Sequence, residues 1–178
     1  LMASKEVASL FLVIFSVGIA IGSVAVNALL KGTVSARWSP VSVLGMGVFL
    51  VAFQQVCAFW PPHGGPEKLM DVATFVVQPL AVPLMLTLLG IAISGGMFVV
   101  PLYAFLTTFV ERSQTARTIA ANNIVNSGAM VVGALITGVM TFAGMPMIQQ
   151  LLVVAASSLA SAWLAFLLLR AEREALAA

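Results

Sequence analysis

Residues 118–169 read TIAANNIVNSGAMVVGALITGVMTFAGMPMIQQLLVVAASSLASAWLAFLLL, 52 residues without one Asp, Glu, Lys or Arg. A helix needs roughly 20 apolar residues to cross the hydrocarbon core of a bilayer. This run is therefore too long for one crossing and about right for two. The tetrapeptide Ala143-Gly144-Met145-Pro146 divides it, because Gly and Pro together favour a turn over a continuous helix. The expected spans are 118–142 and 147–169.

Working outward, residues 7–30, 38–66 and 72–110 are charge-free in the same sense. The first is one span, 7–30, closed by Lys31. Pro40 suits the first turn of the next helix, expected over 41–60. Pro61-Pro62-His63-Gly64-Gly65-Pro66-Glu67-Lys68 can only be a loop, with His63, Glu67, Lys68 and the nearby Asp71 as solvated polar residues. The third run holds one span, 79–108, after an irregular start around Gln78, Pro79 and Pro83. The sequence thus predicts an all-α, polytopic transmembrane helix bundle of about five spans, forming a single domain over 1–178.

Composition agrees. The chain is 61% hydrophobic and 8% charged, against about 25% charged in soluble domains. That excludes a soluble enzyme domain and a secreted scaffold held by disulfides, since Cys57 is the one cysteine. A net charge of +2 is no basic surface for nucleic acid. The positions of the cations matter more. Lys31, Arg37, Arg112, Arg117, Arg170 and Arg173 fall on one side of the bundle, and Lys5 and Lys68 on the other. By the positive-inside rule the first side is cytoplasmic, so the N-terminus is expected outside and the C-terminus inside. Trp38 and Trp60, at opposite ends of the second span, read as interface anchors. An odd number of spans starting outside at Leu1 points to the C-terminal part of a longer chain with an upstream helix.

Charged groups are absent from the spans, so the membrane chemistry rests on amides and hydroxyls. Asn122 and Asn126 are four apart and share a helix face, and Asn123 with Ser127 forms the next row. Gly133 and Thr137 continue the stripe. Amides are costly against lipid unless they face protein or water. They are read equally as the polar lining of a cavity or as interhelical hydrogen-bond glue. In the third span Gly95 and Gly96 allow close helix approach and Pro101 removes a ladder hydrogen bond, giving either static packing or a bend at a gate. Gly18 and Gly22 form a GxxxG packing motif. Gln54, Gln55 and Gln78 are expected to face headgroups or water. His63 is the only histidine, so no metal or nucleophile constellation with a second histidine exists, and no metal or cofactor is expected.

Two strings carry a family resemblance. Gly95-Gly96-Met-Phe-Val-Val-Pro101-Leu-Tyr-Ala-Phe-Leu106 and Ala116-Arg117-Thr-Ile-Ala-Ala-Asn122-Asn123-Ile-Val-Asn126 resemble the lysophospholipid transporters of the major facilitator superfamily. The chain is especially similar to the transporter portion of bacterial fusions with acylglycerophosphoethanolamine acyltransferase. The resemblance runs back through Gly18–Gly22 and the Lys31–Arg37 link, matching helices eight to twelve of twelve, a partial C-terminal half of that fold. It implies inward movement of lysophospholipid, chiefly lysophosphatidylethanolamine, across the bacterial inner membrane for reacylation. It implies alternating access around a cavity lined by Asn122, Asn123 and Asn126, with Gly95, Gly96 and Pro101 shaping the adjacent helix. Arg117 would meet a headgroup phosphate or serve as a positive-inside anchor. Some members carry an acidic residue near Asn126; the amide here removes charge pairing at that point. An N-terminal transporter half and a fused or separate acyltransferase are the implied partners besides the bilayer. Nothing in 1–178 performs acyl transfer: the residue five after His63 is Lys68, so the His-x4-Asp pattern of glycerolipid acyltransferases is absent. The alternative is a major facilitator exporter of drugs or small metabolites.

Overall fold

The computed structural model describes residues 4–61, 69–108 and 110–177; His63, Glu67 and Lys68 lie outside the described residues. Among the described residues six helices follow one another: α1 (Lys5–Leu30), α2 (Ser39–Ala58), α3 (Val72–Val76), α4 (Ala81–Thr108), α5 (Thr115–Phe142) and α6 (Met147–Ala177). Five of them, all but α3, are long and apolar enough to cross a membrane. This is an all-α polytopic bundle and, by length and composition, a multi-pass membrane protein.

The helix ends depart from the expected spans for local reasons. Pro40 sits in the first turn of α2, where its missing N–H is harmless, so the helix begins at Ser39. Gly144, at φ +81°, makes the turn between α5 and α6. α6 runs past Leu169 because helix and hydrocarbon do not end together. Beyond it, Arg170 pairs with Glu174 one turn on at 2.9 Å. Glu172 accepts the Ala36 backbone N–H at 2.9 Å and ties the α1–α2 link to α6.

Four helices form a row in the order α1, α4, α2, α6, with α4 held between α1 and α2. α5 makes only sparse contact with α4 and α6. Lipid tails are as apolar as leucine, so close backbone approach must replace hydrophobic driving force. At the α1–α4 crossing a Cβ on Gly18 would meet the Ala92 methyl, and one on Gly96 would lie 2.5 Å from the Ile19 carbonyl oxygen. A Cβ on Gly22 would run into the Ile93 carbonyl. The GxxxG pair of α1 and the second glycine of α4 are thus one interface read from both sides. Across α2 and α4, Phe49 lies over Gly90; across α2 and α6, Gly47 admits Ser158.

At the end of the bundle where α1 begins and α2 finishes, α3 closes over a small core. The irregular start expected around Gln78 and Pro79 is the non-helical stretch 77–80, although Pro83 lies within α4; before it, Asp71 Oδ1 accepts the Thr74 N–H at 3.0 Å and caps the helical turn of α3. The cap delivers Phe75, fully buried, against Val7, Ala81 and Leu84. Phe11 meets its ring edge-on at 5.4 Å, and Trp60 stacks on it at 5.6 Å. Trp60 is half-buried, and its Nε1 is enclosed without a hydrogen-bond partner among the described residues. The expectation for Gln54 changes: it is buried, not headgroup-facing, with Oε1 unpartnered among the described residues. The Ser4 N–H donates to the Met70 carbonyl at 2.9 Å and fastens the loop to α1.

The cap predicts a pH dependence. Hydrogen bonds from Thr74 hold the Asp71 carboxyl below its ordinary value. A depressed pKa means the stabilisation is full above the unfolded value and is lost as pH falls through the folded one. With Trp38 and Trp163 replaced by Phe, Trp60 emission should shift to the red on acidification below the ordinary carboxylate range. Asp71→Ala should show that shifted emission at neutral pH. Emission that ignores both changes would remove the cap from any role in seating Phe75.

Candidate functional site

α5 carries the three amides, and none of its residues is buried. Asn122 is half-buried, Asn123 and Asn126 are exposed. At 100° per residue the helix has two unlike faces. One presents Asn122, Asn123, Asn126, Ser127, Gly133 and Thr137, small or hydrogen-bonding, with Met130 and Met140 among them. The other presents Ile124, Val125, Val132, Leu135, Val139 and Phe142, all bulky and apolar. In hydrocarbon the second face suits lipid and the first does not.

Hydroxyls on such a helix satisfy themselves by back-bonding to the preceding turn. Thr137 Oγ1 donates to the Gly133 carbonyl, and Thr141 Oγ1 to the Thr137 carbonyl at 2.9 Å. The amides do not: among the described residues no side-chain hydrogen bond is made by Asn122, Asn123 or Asn126. An amide brought into hydrocarbon without a partner costs several kcal/mol, so three in two turns demand water, a ligand or another polar surface. Gln150, buried at the start of α6, holds the far end of α5 by donating from Nε2 to Thr141 Oγ1 and the Met145 carbonyl, each at 3.0 Å. A Gln four residues after a Gly-x-Pro turn is the sequence signal for that tether.

The other expected site residues fall in different places. Arg117 is exposed in the first turn of α5 and sits roughly 140° around the helix from Asn122, by the five residues between them. It is on the bulky side, not the amide face. Gly95 and Gly96, adjacent in sequence, have separate surroundings: Gly96 is locked against α1, whereas a Cβ on Gly95 would meet nothing within 4 Å. Pro101 is fully buried inside α4, where its ring leaves the Met97 carbonyl without its usual donor. With α5 standing away from most of α4, the described chain does not pack Asn122, Asn123 or Asn126 into one closed site with Gly95 and Pro101.

No cluster of three or more His, Cys, Asp or Glu that would hold a metal ion occurs among the described residues. The chain matches no family model, no curated protein and no solved structure, so the functional reading stands on its own residue strings and on the two-faced α5.

Proposed function

We propose that the chain is the C-terminal part of a lysophospholipid transporter of the major facilitator superfamily, moving chiefly lysophosphatidylethanolamine inward across the bacterial inner membrane. The observation that carries this reading is the unburied amide face of α5. A lysolipid needs a route that offers hydrogen bonds to its headgroup while its single tail stays in hydrocarbon. Primary amides supply donors and acceptors together, without the desolvation cost of a fixed charge. They therefore suit a zwitterionic headgroup. The opposite face of the same helix, Ile124 to Phe142, suits acyl chains. Alternating access between this part and an N-terminal half would expose the amide face to one side of the membrane at a time. Arg117, at the start of α5 and about 140° around the helix from Asn122, suits an anchor at the membrane surface better than a ligand of the amide face.

Uptake measurements on membranes containing the intact transporter test the reading. Saturable accumulation of labelled lysophosphatidylethanolamine is expected, at least tenfold above membranes lacking the protein, with no change in the efflux of lipophilic cations. Cation efflux without lysolipid movement would assign the chain to the drug or metabolite exporters instead.

A further inference from the structure

The hydrogen bond from the Ala36 N–H to Glu172 Oε2, 2.9 Å long, joins positions 136 residues apart and brings two arginines to one corner of the bundle. Arg37 follows Ala36 and Arg173 follows Glu172, so each Cα lies about 3.8 Å from that of a residue making the contact. Both arginines are exposed. The Arg37 guanidinium stands 5.7 Å from the centroid of the Trp38 ring, a cation–π contact that steadies it without engaging its N–H donors. Neither arginine has a carboxylate partner among the described residues. Of the two acids nearby, Glu174 is paired with Arg170 at 2.9 Å, and Glu172 is taken by the backbone.

Charge and depth together decide what these guanidiniums meet. Arg37, Arg170 and Arg173 against Glu172 and Glu174 leave the corner positive. The charge-free run of α6 ends at Leu169, and Arg173 lies four residues, about 6 Å, beyond it. A hydrocarbon core of about 30 Å in a bilayer of about 40–45 Å leaves a headgroup layer of roughly 5–8 Å on each side. The corner is therefore at the level of lipid phosphates, where half-buried Trp38 also belongs. A phosphodiester offers two free oxygens, and a guanidinium fork can engage each. The excess positive charge opposes the ammonium group of a zwitterionic lipid and favours a headgroup that carries no cation.

We propose that the corner between the α1–α2 link and the end of α6 binds the phosphodiester of an anionic phospholipid, with Arg37 and Arg173 as its ligands. The site shares no residue with the amide face of α5, so it does not depend on which substrate is transported.

The test is lipid titration of the full-length protein in detergent, read by native mass spectrometry, with phosphatidylglycerol and phosphatidylcholine of identical acyl chains. Phosphatidylglycerol should bind the parent several-fold more tightly. Arg37→Gln and Arg173→Gln should each weaken its binding by about tenfold, the loss of one charge-assisted contact, and leave phosphatidylcholine unchanged. Arg112→Gln, an exposed cation on the α4–α5 link, should leave both lipids unchanged. Should a glutamine variant fail to fold, the lysine variant at that position keeps the charge, loses the fork and should still weaken phosphatidylglycerol binding several-fold. Millimolar inorganic phosphate should not displace the lipid; displacement would make this a free-anion site and overturn the proposal. Equal affinity for the two lipids overturns it, as does an equal loss in Arg112→Gln. Undiminished preference in both corner variants also overturns it and assigns the two guanidiniums to an acidic protein surface.

Discussion

Gly22→Ala is expected to cost the purified protein about 3 kcal/mol, at the upper end of what overpacking a core usually costs. Most inserted methyl groups meet side chains that can rotate away. Here the new Cβ would run into the backbone of Ile93 at its carbonyl oxygen, Cα and carbonyl carbon, so relief requires α1 and α4 to separate. Separation would be felt along the whole crossing. Gly18, against the Ala92 methyl, and Gly96, against the Ile19 carbonyl, are as close on either side, and a pair of helices in lipid has little besides packing to hold it. The internal control is Gly95→Ala, where the new methyl meets nothing within 4 Å and helix propensity favours alanine by about 1 kcal/mol. Thermal unfolding in detergent should therefore separate two alanines placed on one small-residue interface and beside it. Equal unfolding temperatures for Gly22→Ala and the parent would sink the claim that this crossing depends on backbone contact.

That contrast also marks what the sequence can and cannot disclose. Charge-free runs and Gly-Pro breaks locate all five long helices, because the bilayer fixes how many apolar residues a crossing needs. Neighbour order is not written there: α1 lies against α4 rather than α2, and only the structure pairs Gly22 with Ile93. The two adjacent glycines of α4 look alike in sequence yet differ in role, since 100° of helix rotation puts one in an interface and the other in open space. Gln54 misleads for a related reason. Residue type and distance from a span end suggested the membrane surface, but Gln54 is buried within the bundle. α3 escapes a hydropathy reading because five residues cannot span anything; its signal was the capping geometry of Asp71. The amide stripe was legible as a face. Its lack of a partner among the described residues was not, because Asn122, Asn123 and Asn126 have the same spacing whether they bind a ligand or another helix.

On the proposed function, Asn122→Leu combined with Asn126→Leu in the full-length protein is expected to lower lysolipid uptake, as kcat/KM, by on the order of 100-fold or more. Two amides that each hydrogen-bond a headgroup contribute about 1.5 kcal/mol apiece, and the headgroup atoms left unpaired in a dry cavity add to that loss; every 1.4 kcal/mol is tenfold. Membrane level should not fall. Neither side chain makes a hydrogen bond within the described residues, neither is buried, and leucine is a good helix former on a helix already facing hydrocarbon. The same double variant separates the two meanings of the stripe. If the amides instead join α5 to a neighbouring helix, their loss must appear first in assembly, as reduced level and a lower unfolding temperature, with uptake per folded molecule little changed. Ile124→Leu on the opposite face controls for a change in the helix itself and should alter neither quantity. Uptake lost at constant level places the headgroup on α5; level lost at constant specific uptake makes α5 a packing helix and moves the search for the substrate to another surface.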